Sequence, residues 1–266
     1  MARSLAFWIE NPKNIEAERT SFELHFNYWS LSSGNKEVNY LDIGVKFGIV
    51  GDFDAICFYL PFMVAKNGNY VPDLGRRIAK NNELMAAIFN SYVNSTHIVN
   101  PQLGDDVLDV CLGRDKNQPC LRFFTNLEKC DLGAGVKITD DEEGAILKFP
   151  KELFNAGLKE NNYFRFRIII DPVSKESVST VHKPKASTFT NYFEATEMVD
   201  FRLNEFRNLP GSIRRQVVGE NYVSAVHFFL IRDADSEYKI SHSMYSRCRV
   251  IEQALWDDYL AEEGFP

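Results

Sequence analysis

The sequence predicts an α+β fold: a mainly antiparallel sheet, or a two-sheet sandwich, with a mid-chain helix and a C-terminal amphipathic helix. Three observations carry this expectation. Segments with an apolar residue at every second position dominate the chain, as strands with one buried face require. Aromatic residues make up 13% of it, with 21 Phe and 11 Tyr, and flat rings suit a pleated surface. The strands come in runs and do not alternate with helices, which argues against a doubly wound parallel sheet.

Phe22, Leu24, Phe26 and Tyr28 alternate with Glu23, His25 and Asn27, which predicts a strand over 22–30. Ser32, Ser33, Gly34 and Asn35 form a turn signal. Leu41, Ile43, Val45 and Phe47 then oppose Tyr40, Asp42 and Lys46 in a second strand over 38–47. A Gly51-Asp52 turn leads to a third at 55–62, and together the three read as an antiparallel meander. Leu74, Ile78, Leu84, Met85, Ile88 and Phe89 mark one face of a helix over 74–92, with Asp73 as its cap.

Between 94 and 135 the pattern weakens, and two short strands are expected at 107–112 and 121–125. A hairpin over 136–149 turns at 140–144. Phe164, Phe166, Ile168 and Ile170 alternate with Arg165 and Arg167 in a strand over 163–170. The polar stretch 173–187 reads as a loop, and 191–203 is compatible with strand or helix. Residues 222–231 are apolar on both faces, which reads as a central strand. Cys248, Ile251, Leu255 and Tyr259 form the stripe of a helix over 244–260. The whole chain, 1–266, is expected to form a single β-rich domain, with a two-lobe split near 94–135 as the alternative.

Composition narrows the function. Acidic residues outnumber basic ones, 37 to 30, for a net charge of −7, so nucleic acid is a disfavoured partner. No apolar run approaches the roughly 20 residues of a membrane span, and no signal-peptide pattern opens the chain. Cys57, Cys111, Cys120, Cys130 and Cys248 are odd in number and lack a paired spacing, which predicts free thiols and a cytoplasmic location. Phosphate loops and nucleophile elbows are missing. The acidic run 140–143 reads as a solvated hairpin tip and not as a calcium loop.

The leading expectation is a non-catalytic cytoplasmic binding or assembly protein, a sensor or scaffold subunit that meets another protein or itself. Its candidate binding residues are Arg165, Arg167, Arg202, Arg207, Arg214 and Arg215, with Trp256 and Tyr259 as interface anchors. Acids at 194, 197, 200 and 205 are placed to neutralise part of that arginine set. The alternative is a metal-dependent hydrolase, most simply a nuclease, built on Asp42, Asp171 and Lys175. A divalent metal belongs to that alternative alone, and no other cofactor is expected. A weaker alternative binds RNA or a nucleotide ligand through Arg165, Arg167 and Arg214. The five histidines show no ligand spacing, and His227 reads as a satisfied core residue.

Overall fold

The computed structural model describes residues 3–33, 36–49, 51–102, 104–114, 120–128, 135–141, 143–154, 156–182, 196–218, 222–233, 236, 251 and 253–260. The strands of the first half are β1 (Ala6–Glu10), β2 (Ser21–Ser33), β3 (Lys36–Gly48), β4 (Ala55–Leu60) and β5 (Tyr70–Val71). Helices α1 (Leu74–Ala79) and α2 (Asn82–Phe89) precede β6 (Val93–Ile98), β7 (Val107–Leu112) and β8 (Leu121–Phe124). Next come β9 (Lys137–Asp140), β10 (Ala145–Pro150), β11 (Asn162–Ile169) and the single-turn α3 (Pro172–Lys175). The chain closes with β12 (Ser179–His182), β13 (Thr196–Val199), α4 (Gly211–Val217), β14 (Val223–Arg232) and α5 (Gln253–Leu260).

Two sheets stack face to face, as the predicted sandwich requires. The larger runs β14-β2-β3-β11-β8-β7-β6, with β5 also paired to β11. The smaller runs β1-β4-β10-β9. Pairing is antiparallel except at β14 on β2 and β11 on β8. The apolar halves of the alternating strands meet between the sheets: Phe22, Leu24 and Phe26 of β2, Ile43, Val45 and Phe47 of β3, and Phe164 and Phe166 of β11. From the small sheet, Phe7, Ile56, Phe58, Leu147 and Phe149 complete that core. Each such side chain contributes roughly 1.5–3 kcal/mol by leaving water.

Helices cover the outer faces. Leu209 and Ile213, the latter on α4, pack on Trp8, Cys57 and Tyr59 of the small sheet. Leu74 and Ile78 of α1, Leu84 and Met85 of α2, and Tyr259 and Leu260 of α5 pack on Trp29, Tyr40 and Tyr163 of the large sheet. Gly75 lets α1 sit this close, because a Cβ there would meet the Thr125 backbone at 2.5 Å. Among the described residues no helix is long and apolar enough to cross a membrane.

Several expectations change. The three-strand meander does not form, because β4 leaves β3 and joins the other sheet between β1 and β10. Its Ala-Ile-Cys-Phe-Tyr-Leu run is buried on both faces, which only a central strand of a covered sheet allows. The helix over 74–92 is two helices. Asn81 breaks it in an extended conformation and caps α2, its side chain accepting from the Glu83 and Leu84 amides. Asp73 makes no side-chain cap bond. β14 is an outermost strand and not a central one: among the described residues its one neighbour is β2. Its apolar side chains are largely exposed, among them Val226, Phe228 and Phe229, with Phe201 stacked on Phe228 at 4.6 Å. Cys111 and Cys120 form a disulfide, which overturns the reading that all thiols are free; Cys57 is free and buried. Cys130, Cys248 and residues 244–250 of the expected C-terminal helix lie outside the described residues.

Candidate functional site

Alternation that sends Phe22, Leu24 and Phe26 inward sends Glu23, His25, Asn27 and Trp29 to the outer face of the large sheet. Register then decides which polar groups meet there. Across β2 and β3, Glu23 lies opposite Lys46, His25 opposite Gly44, and Asn27 opposite Asp42. Across β3 and β11, Lys46 lies opposite Tyr163, Gly44 opposite Arg165, and Asp42 opposite Arg167. On the other side β14 places His227 opposite His25. Two polar groups result, one buried under α5 and one at the edge of a cleft.

The buried group centres on Asp42. Arg167 donates from Nε to Oδ1 at 2.6 Å and from Nη2 to Oδ2 at 3.1 Å. Trp29 Nε1 and the Tyr259 hydroxyl also donate to Oδ2, at 2.7 and 2.6 Å. Burial alone would raise the Asp42 carboxyl, but the Arg167 charge and its hydrogen bonds hold it below its ordinary value. The Arg167 guanidinium lies between the Tyr40 and Tyr259 rings, 4.5 and 4.8 Å from their centroids. Arg165 donates to the Tyr259 and Tyr163 hydroxyls at 3.1 and 3.2 Å. Its Nη2 is buried without a hydrogen-bond partner, 3.9 Å from Asp42 Oδ2. Gly44 makes room for this, since a Cβ there would collide with the Tyr163 hydroxyl.

The second group opens to solvent. Glu23 Oε1 lies 3.0 Å from His25 Nε2 and 3.3 Å from His227 Nε2, while Lys46 Nζ donates to Oε2 at 3.1 Å. Burial alone would raise the Glu23 carboxyl, but the bonds from His25 and Lys46 bring it below its ordinary value. Burial lowers the His25 imidazole below its ordinary value, with the Glu23 hydrogen bond opposing and the Arg165 charge adding to it. Beside these residues lies a cleft of about 220 Å³ whose polar rim is Glu23, His25, Lys46 and Asn161. Its apolar walls come from α2 (Ile88, Phe89), the β7–β8 hairpin (Leu112, Leu121) and the Tyr163 ring. The Cys111–Cys120 bridge joins the residues next to Leu112 and Leu121, which ties two walls together.

No family model, curated protein or solved structure matches this chain. What the site can do therefore rests on its geometry.

The sequence-predicted residues scatter over this frame. Asp42, Asp171 and Lys175 share no partner among the described residues. Asp171 caps α3, accepting from the Val173 and Ser174 amides and the Ser174 hydroxyl. Lys175 pairs with Glu37 and, at 3.2 Å, with Glu197. Arg165 and Arg167, expected on an open strand face, are 2% and 0% exposed, because α5 closes over that face. Tyr259 is buried for the same reason and Trp256 packs on Trp29 at 5.4 Å, so both anchor α5 to its own sheet. Arg202 is held by Asp200 and Glu205, and Arg214 donates to the Leu209 carbonyl at 2.8 Å. Arg207 is exposed beside Glu205, and Arg215 is exposed on α4. In the acidic run Asp140 ends β9 and accepts from the amides of 64–66, and Asp141 accepts from those of Glu143 and Gly144; Glu142 lies outside the described residues.

Glu23, Lys46 and the His25–His227 pair were not singled out as a group. The visible signal was a Glu-x-His on one strand face. What was missing was the parallel pairing that brings His227 to it across about two hundred residues.

Proposed function

We propose that the protein is a non-catalytic binding protein, a sensor or assembly subunit, that takes a small ligand in the cleft beside Glu23, His25 and Lys46. One observation carries the reading: apolar walls converge there with a few oriented polar groups, the usual composition of a ligand pocket. The volume is below the roughly 300 Å³ at which pockets for drug-sized molecules begin, so the ligand is small. Asp42, Asp171 and Lys175 being taken up by structural bonds supports the non-catalytic side. The metal-dependent hydrolase remains a second reading on one observation alone, the Glu23–His25–His227 cluster.

Native mass spectrometry on freshly purified protein, followed by a thermal-shift screen of small carboxylates, phosphates and aromatic acids, tests the proposal. The expected result is a retained or stabilising compound whose effect disappears in Phe89→Trp, which fills the cleft, and weakens in Lys46→Met. If no compound separates wild type from Phe89→Trp, the reading is wrong. Self-association is part of the proposal, and light scattering decides it by mass. So is a cytoplasmic location, which cell fractionation decides; the Cys111–Cys120 bridge is the observation that weighs against it.

A further inference from the structure

The Glu23, His25 and His227 side chains offer one oxygen and two nitrogen donors, all within 4.8 Å of one another. Metal–ligand bonds of about 2.0–2.1 Å put neighbouring ligands ~2.9 Å apart in an octahedron and ~3.4 Å apart in a tetrahedron. The two edges from Glu23 Oε1, 3.0 Å to His25 and 3.3 Å to His227, fall in that range. We propose that these three residues bind a divalent transition-metal ion of the zinc class, with its remaining coordination positions turned to the cleft.

The scaffold favours this. Glu23 and His25 stand two residues apart on one face of β2, and His227 stands directly opposite His25 on β14. All three thus sit on hydrogen-bonded strands, which hold ligands more tightly than loops. Lys46 binds Oε2 and leaves Oε1 for the ion, as an outer partner does when it orients a ligating carboxylate. Two imidazoles with one carboxylate select zinc, iron(II) or cobalt(II) over calcium and magnesium, which take oxygen. Three protein ligands also leave positions for water or a ligand, unlike a closed structural site. In the structure Glu23 Oε1 hydrogen-bonds His25 and lies 3.3 Å from His227, and loading exchanges these contacts for bonds to the ion.

The surrounding charge sets the strength. Lys46 and the buried Arg165 both lie near a ligand set holding a single carboxylate. Repulsion from them makes this an exchangeable site and not a structural one.

The inference rests on the reading of the cleft as the functional centre, and its test is separable from that reading. Full-length protein, stripped with chelator and dialysed, is titrated with zinc by calorimetry and with cobalt(II) by visible absorption. One equivalent is expected, with the absorption of a low-coordinate cobalt site. His227→Ala and Glu23→Gln should each weaken binding by about tenfold or more. Phe89→Trp, which alters the cleft and no ligand, should still bind zinc. His227 is on an outermost strand and nearly half exposed, so its loss spares the fold, and circular dichroism checks that. No binding by wild type, or equal binding by His227→Ala, overturns the metal site while leaving a small-molecule pocket standing. Zinc binding without any small-molecule effect keeps the metal site and removes the pocket reading.

Discussion

Asp42 and Arg167 face each other on adjacent strands, 2.6 Å apart, with neither side chain exposed to water. The pair sits at the centre of the outer face of the large sheet, and α5 closes over it. Asp42→Asn should cost about 3–5 kcal/mol, because it leaves two buried guanidinium groups, Arg165 and Arg167, without their anion. Arg167→Met should cost less, since Arg165 remains near Asp42. The double variant Asp42→Asn/Arg167→Met should lose less than the two single losses added together. Urea denaturation of the three variants checks the order, and strict additivity would mean the pair is not coupled.

The same carboxylate predicts an acid limb. Its folded value lies below its unfolded one of about 3.9, so its stabilisation is complete above that value and drains away as pH falls toward the folded value. Wild-type stability should therefore drop between about pH 4 and lower values more steeply than that of Asp42→Asn. Denaturation midpoints measured at several pH values, compared between the two proteins, give the answer; parallel curves would remove Asp42 from the explanation.

Tyr259 connects α5 to the buried charges, donating to Asp42 and accepting from Arg165. Tyr259→Phe keeps the ring and deletes both bonds, at a cost of about 1–3 kcal/mol. Hydrogen exchange should rise first in α5. Trp256→Ala, which loses the contact with Trp29, should produce the same local loosening.

The thiols should divide sharply. Cys57 is buried in β4 and its thiol is pushed far above its ordinary value by that burial, so it should resist iodoacetamide until the protein unfolds. Cys111→Ser/Cys120→Ser removes a bridge that spans nine positions in sequence, worth about 2–3 kcal/mol by loop closure. The loss should concentrate at Leu112 and Leu121, so ligand retention in the cleft should suffer more than global stability. Mass spectrometry of labelled peptides and thermal melts of the variant measure these separately.

Period-two alternation made β2, β3 and β11 legible from sequence, because each has one face in the core between the sheets. It failed where apolar residues run on consecutively. β4 does so because it is the centre of a sheet covered on both faces, whereas β14 is an outermost strand whose Val226, Phe228 and Phe229 are exposed. Arg165 and Arg167 looked like a surface because arginines on the polar side of a strand are normally solvated. What buries them is α5, nearly a hundred residues away. Glu23 and His25 were visible as neighbours, but nothing local announced that His227 completes them. The pairing of Cys111 with Cys120 was equally hidden, since proximity across a hairpin leaves no spacing rule.

The parallel pairing of β14 with β2 has a consequence for biosynthesis. At typical translation rates, Glu23 and His25 leave the ribosome on the order of 10–40 s before His227 is made. Throughout that interval the outer edge of β2 lacks the strand that will cover it in the finished protein. The nascent chain therefore carries an open β2 edge and two of the three proposed metal ligands until β14 has been made.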